Sequence, residues 1–427
     1  MRCASAFAAL LAALLLAACG GGNSTETRCI GECGGTEVSI DTPTGANTTE
    51  VVVDAGPGGG FSLGVANLPY VTVTVCTPGA ATRCVSIDHV FLDTGSIGLR
   101  LMRSAVESLD LPRESVAAGP AFECYPFVVG AVWGPVARAD LRIGGETAAG
   151  LPVQLIDDLS PSEAPVPADC DKAAGGQMLQ SVGALSAKGV LGVGQLRYDC
   201  GLVCQQGSYG AGVVLYWTCN AGTCAAAPMP PEQQVQHPVT FFEVDNNGTL
   251  IVLPALPTLG AAVARGRLVF GIGTQSNNQI AAAASIYTVD ADPASADYLY
   301  LSTTVGGVRF PASYIDSGSN GLFYDDATLG TPCGGAGAGG WYCPATPASR
   351  SALVTGTNGS TGTVDFSIVS ADVLFATSNV AFANLGGAAG AANAGAFVWG
   401  LPFFYGRSVY TSIWGQALAT QGPWYAF

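Results

Sequence analysis

The chain has 427 residues, 49% of them hydrophobic and 11% charged, with a formal net charge of −15. Such acidity leaves no basic footprint, so a nucleic-acid partner is excluded at the outset. The length allows two lobes around a large core, and 58 glycines with few charges favour a turn-rich all-β protein over a helical one.

The chain opens with Arg2, an apolar run over Ala6–Leu16, and Leu16-Ala17-Ala18-Cys19. Residues 1–18 read as an export signal, because the run is too short to span a bilayer as a mature helix. The tetrapeptide resembles a bacterial lipobox. That implies cleavage before Cys19, lipidation of its thiol, and an exported protein anchored to the cell envelope on a periplasmic or surface face. An ordinary signal peptide that happens to contain a cysteine is the alternative. Residues 19–60 are polar and rich in Gly and Pro ("GGGNSTETR", "AGPGGG"), the composition of a flexible tether. It holds no Lys/Arg-rich segment that could cover an acidic site, so control by a propeptide is not expected.

From Phe61 the pattern becomes short β-type runs: "YVTVTVC", "CVSIDHVFLDTG", "ARADLRIGG", "LPVQLID". "MRSAVESL" is one of few candidate helices. "DNNG", Asp245–Gly248, sits between apolar runs and reads as a hairpin turn; the later acidic ligands of a calcium loop are missing. "DYLYLSTTVGGVRFPASYIDSGSNG" repeats the order of strands and turn seen in the first half, which points to two related lobes, 61–258 and 259–427.

Of fourteen cysteines, Cys3 leaves with the signal and Cys19 is taken by lipid, so an even number remains, as an oxidising compartment favours. Proximity pairs Cys29 with Cys33, Cys76 with Cys84, Cys200 with Cys204, Cys219 with Cys224 and Cys333 with Cys343, leaving Cys124 with Cys170. Sequence alone does not fix this connectivity. The absence of C-x-x-C and the presence of only two histidines argue against zinc, and no metal or cofactor is expected.

The chemistry gathers in "HVFLDTGSIGLRLM", His89–Met102, and "ASYIDSGSNGLFYD", Ala312–Asp325. Each is an apolar strand ending in an acid, Asp93 or Asp316, followed by a glycine, Gly95 or Gly318, that permits a tight loop. Thr94, Ser96, Ser317 and Ser319 place hydroxyls beside the acids. If the two lobes face each other, the carboxylates meet. One then keeps its proton while the other ionises, so the first can protonate a peptide carbonyl and the second can activate a water. A serine-hydrolase elbow is absent. His89, on the face of Asp93, reads as a solvent-facing or hydrogen-bonded structural histidine, with a role beside that acid as the alternative; His237, before Pro238, reads as loop, and Asp157 and Asp158 as an exposed loop pair.

These residues resemble the bilobal pepsin-like aspartic proteases, in a branch of secreted bacterial lipoproteins, over about Phe61 to Phe427. The motif of that family falls on Asp93 and Asp316. Its inner hydroxyls fall on Thr94 and Ser317, and its outer hydroxyls on Ser96 and Ser319. Its lobe-closing strands fall on Val190-Leu191-Gly192 and Val398-Trp399-Gly400. The resemblance implies a central cleft, a flap hairpin near residues 125–134, an acid pH optimum, a preference for apolar residues around the cut bond, and a monomer acting on polypeptides. Two departures concern the flap. The family usually carries a tryptophan where Arg100 stands, and Tyr125, Phe127 and Trp133 compete for the flap and substrate-facing role, with ungapped counting from "LRIGG" favouring Phe127. The expected activity is therefore that of an aspartic endopeptidase. A noncatalytic envelope or surface binding protein on the same fold is the alternative.

Overall fold

The computed structural model describes residues 25–30, 35–40, 45–58, 66–207, 214–295, 297–330, 332–333, 340–390, 393–418 and 421–427. Cys19 and the export signal lie outside the described residues. The described chain is mostly β. In order, the strands are β1 (Thr25–Ile30), β2 (Gly35–Ile40), β3 (Thr48–Val53), β4 (Pro69–Cys76), β5 (Cys84–Asp93), β6 (Ile97–Met102), β7 (Ser115–Val116), β8 (Gly119–Phe127), β9 (Gly130–Ile143) and β10 (Glu146–Ile156). They continue with β11 (Gly189–Val193), β12 (Tyr216–Asn220), β13 (Thr223–Ala226), β14 (Gly248–Val252), β15 (Val263–Phe270) and β16 (Ile286–Thr288). The last are β17 (Leu301–Val305), β18 (Val308–Ile315), β19 (Leu322–Phe323), β20 (Ala348–Thr355), β21 (Thr361–Ile368), β22 (Gly386–Gly387), β23 (Val398–Trp399), β24 (Ser408–Ser412) and β25 (Trp424–Ala426).

Period-two patterning explains why these segments are strands. In β4, Val71, Val73 and Val75 enter the core while Thr72 stays outside. The same rule corrects the tether expected over 19–60. In β3, Val51 and Val53 are buried and Glu50 is exposed. β3 pairs antiparallel with both β4 and β15, and β2 pairs parallel with β15. The polar flanks of the Val51-Val52-Val53 run hid a strand that completes a sheet. The helix expected at "MRSAVESL" forms as α1 (Arg103–Val106) and a following 3-10 turn.

The two halves share one construction. β11 lies between β5 and β6, parallel to the first, with Gly192 opposite Asp93, and antiparallel to the second. In the second half β23 lies parallel to β18, with Trp399 opposite Ile315, and antiparallel to β19. Outside them, β10 runs parallel to β6 and β22 parallel to β19. Strands β17 to β23 make a seven-stranded sheet. The remaining strands form a larger one that β24 and β25 rejoin from the far end of the chain, so sheet membership crosses the division expected at residue 258. One apolar core runs through both halves. Asn67 pins them together: its side-chain NH2 donates to the carbonyls of Asn320 and Phe382, and its Oδ1 accepts from the Phe382 amide and the Tyr405 hydroxyl.

Four of the proximity pairings form, Cys76–Cys84, Cys200–Cys204, Cys219–Cys224 and Cys333–Cys343, and so does the remaining pair, Cys124–Cys170. Cys33 falls outside the described residues. These bonds fit an oxidising compartment. Among the described residues, no helix is long and apolar enough to cross a membrane. Two loop expectations are corrected. Asp157 is buried, ion-paired to Arg103 at 2.6 Å and accepting from Ser162 and the Glu163 amide, because α1 brings Arg103 over it. "DNNG" is not a hairpin turn. It links a 3-10 turn to β14, and its acceptors bind across to the loop after β15 through Thr274, Gln275 and Ile272.

The crossing at β23 leaves no room for a side chain. A Cβ at Gly400 would collide with the carbonyl oxygens of Gly321 and Ser319. Gly400→Ala is therefore expected to lower stability by about 1–3 kcal/mol, the usual penalty of overpacking, measured by urea denaturation against wild type.

Candidate active site: two facing acid loops

β5 and β18 deliver Asp93 and Asp316 just past buried Leu92 and Ile315, and the loops that follow interlock. The Thr94 amide donates to Ser317 Oγ at 3.0 Å, and the Ser317 amide donates to Thr94 Oγ1 at 2.9 Å. Each hydroxyl then donates onward across the interface, Thr94 to the Ile315 carbonyl (3.4 Å) and Ser317 to the Leu92 carbonyl (2.9 Å). Each loop also closes on itself, with Gly95 N donating to Asp93 Oδ1 and Gly318 N to Asp316 Oδ1, both at 2.7 Å.

The glycines are where the halves touch. A Cβ on Gly95 would stand 2.6 Å from Asp316 Oδ1, and one on Gly318 would collide with Asp93 Oδ1. Each carboxylate thus reaches over the other's loop, close enough for the charge of Asp316 to bear on Asp93. Asp93 is 5% exposed and Asp316 9%. Burial, and then the neighbouring charge of Asp316, push Asp93 up to about 8, against the pull of Ser96 and the Gly95 amide. Ser319 donates to Asp316 Oδ2 at 2.6 Å. Its counterpart Ser96 is buried beside Asp93 without a well-formed hydrogen bond.

β8 and β9 form a hairpin with a two-residue tip, Val128 and Val129, exposed by 75% and 71%. Alternation along β8 separates the candidate flap residues. Tyr125 and Phe127 share one face, their ring centres 5.1 Å apart. Phe122 and Cys124 face the other way, into a side cluster where Trp133 is fully buried between Phe122 and Trp217. Trp133 is thus a core residue of that cluster and not a cleft residue. The histidines also stay outside the acid pair. His89 pairs with Asp88 and Asp54, and buried His237 accepts from the Val239 amide.

The profile of a family described as a protein of unknown function (DUF3443) matches residues 43–427. The chain belongs to the DUF3443 family. The match begins just ahead of β3, so the family's shared region includes that strand. No curated protein matches this DUF3443 chain. Among solved structures, an aspartic proteinase from Irpex lacteus is similar over 89% of this chain and 96% of that one, at 12% identity and a TM-score of 0.45.

One group near the site was missed in the sequence. Arg100, Glu123, Asp199 and Tyr216 form a buried polar cluster beneath Tyr125. The signal was present: Arg100 interrupts the apolar run "IGLRLM" and Glu123 the run "AFECYPF", and a charge on a core-facing position must find a partner. A cavity of about 600 Å³ opens elsewhere, in the second half, beside Arg350, Phe366, Trp399, Phe403 and Arg407; neither acid lines it.

The raised value at Asp93 fixes a stability profile. Between the unfolded value of 3.8 and about 8, the native state keeps a proton that the unfolded chain has released. Native stability therefore falls as pH rises through that window. Asp93→Asn removes the effect. The variant is expected to gain on wild type from pH 4 to pH 8 by on the order of 2–4 kcal/mol, followed by denaturant titration at both pH values. An equal difference at the two would refute the assignment.

Proposed function

We propose that this DUF3443 protein is a pepsin-like aspartic endopeptidase, with Asp93 and Asp316 acting as a catalytic dyad. The observation that supports the reading is the reciprocal brace of Thr94 and Ser317, which ties together the two loops that follow Asp93 and Asp316. The charged member takes a proton from a water, and that water attacks the scissile carbonyl carbon. The protonated member gives its proton to the carbonyl oxygen, so a neutral tetrahedral intermediate forms. Collapse breaks the C–N bond as the amine leaves with a proton returned through the dyad. Neither metal nor covalent intermediate is needed. Ser319 and the Gly95 and Gly318 amides hold the carboxylates in place.

Energetics favour a catalytic over a purely binding role. A buried carboxyl kept protonated near neutral pH lowers stability, and a binding surface has no use for it. The hairpin of β8 and β9 serves as the flap, with Val128 and Val129 offering apolar contact to an extended substrate. The reading includes export and anchoring through Cys19.

Cleavage of a random peptide library from about pH 3 to 7 tests this. Wild type is expected to keep cutting up to about pH 7, because Asp93 holds its proton to about 8, and Asp93→Asn and Asp316→Asn are each expected to lose at least about 10³-fold in kcat/KM. Hydrolysis that persists in both variants would remove the mechanism.

A further inference from the structure

Beneath the hairpin, β6 carries Arg100, which is wholly buried. Its Nη1 donates to the Ile97 carbonyl at 2.5 Å, just after the first acid loop, and its Nη2 donates to Glu123 Oε1 at 2.6 Å and to Asp199 Oδ2 at 3.2 Å. Its guanidinium carbon lies 3.5 Å from the centre of the Tyr125 ring, a close cation–π contact. The groups facing it are Glu123 and Tyr125 on β8, Asp199 after β11, and Tyr216 on β12; uncharged Gln154 on β10 donates to the Glu123 carbonyl. Tyr216 donates to Asp199 and accepts from the Val235 amide. Two carboxylates share one guanidinium here. Burial, and then Glu123, push Asp199 well above the usual carboxylate range, so a proton balances the cluster's charge. The cluster touches both the acid loop and the flap strand.

We propose that Arg100 is a positioning residue that ties the first acid loop to the flap, its guanidinium fixing the ring of Tyr125 beside Asp93. The consequence for turnover rests on the endopeptidase reading; the mechanical coupling does not. Tyr125 is thereby the flap residue, in place of the Phe127 that counting along the sequence favours, and its seat on Arg100 stands where the resemblance would put a tryptophan.

The test is a double-mutant cycle in the full chain: Arg100→Met, Tyr125→Leu and both together. The first readout is hydrogen exchange of the hairpin amides over residues 125–132 without substrate. Arg100→Met is expected to speed their exchange at least about tenfold beside an intact Tyr125, and to add little once Tyr125→Leu is present. In peptide cleavage, Arg100→Met is expected to lower kcat about 100-fold with a smaller change in KM, to be partly rescued by Arg100→Lys, and to lose its effect beside Tyr125→Leu. Should Arg100→Met fail to fold, Arg100→Met/Glu123→Gln removes both members of the ion pair and enters the same cycle. Additive effects in both readouts would overturn the inference. Coupled exchange in a wild type that cleaves no peptide would sink the endopeptidase reading and leave the coupling standing.

Discussion

Two hydroxyls that leave their own half of the molecule hold the acid pair together. Two buried carboxyls in contact resist approach, through lost hydration and mutual repulsion. The Thr94–Ser317 exchange opposes that resistance with backbone amides that have a partner only when both loops are in place. Each bond contributes about 1 kcal/mol net, yet leaving any of these buried groups unpaired would cost about 1–3 kcal/mol. The brace therefore works as a set. Slide one loop past the other and several polar groups are stranded together.

The close contacts around it follow. Gly95 and Gly318 sit where each carboxylate crosses over, and Gly400 sits where β23 passes behind the second loop. The strands on either side keep the loops from relaxing, because β11 and β23 each pair with both the strand that enters the loop and the strand that leaves it. The raised proton affinity of Asp93 is one result of that confinement.

The parts legible in the sequence are those written in local pattern. The two acid loops and the short cysteine pairings come from residues near one another in sequence, and the β11 and β23 strands from the resemblance that the acid loops carry. What escaped depended on partners far along the chain. β3 reads as tether because its neighbours are polar, and its place is set by β15, some two hundred residues later. Arg100 reads as an oddity in an apolar strand until Glu123 and Asp199 arrive from elsewhere. The side taken by Trp133 is set by its pairing with β8 and by Trp217 from a distant strand, and one residue of register along a strand exchanges the two faces. Asp157 needed Arg103 brought over it by α1.

The reciprocal brace also bears on how such a chain is made. Synthesis runs from the amino end, so Asp93 emerges long before Ser317 exists to receive the Thr94 amide. Until then the first acid loop lacks its counterpart, and a nascent chain in transit carries only half a centre. Any property that needs both acid loops therefore waits for the second half of the chain.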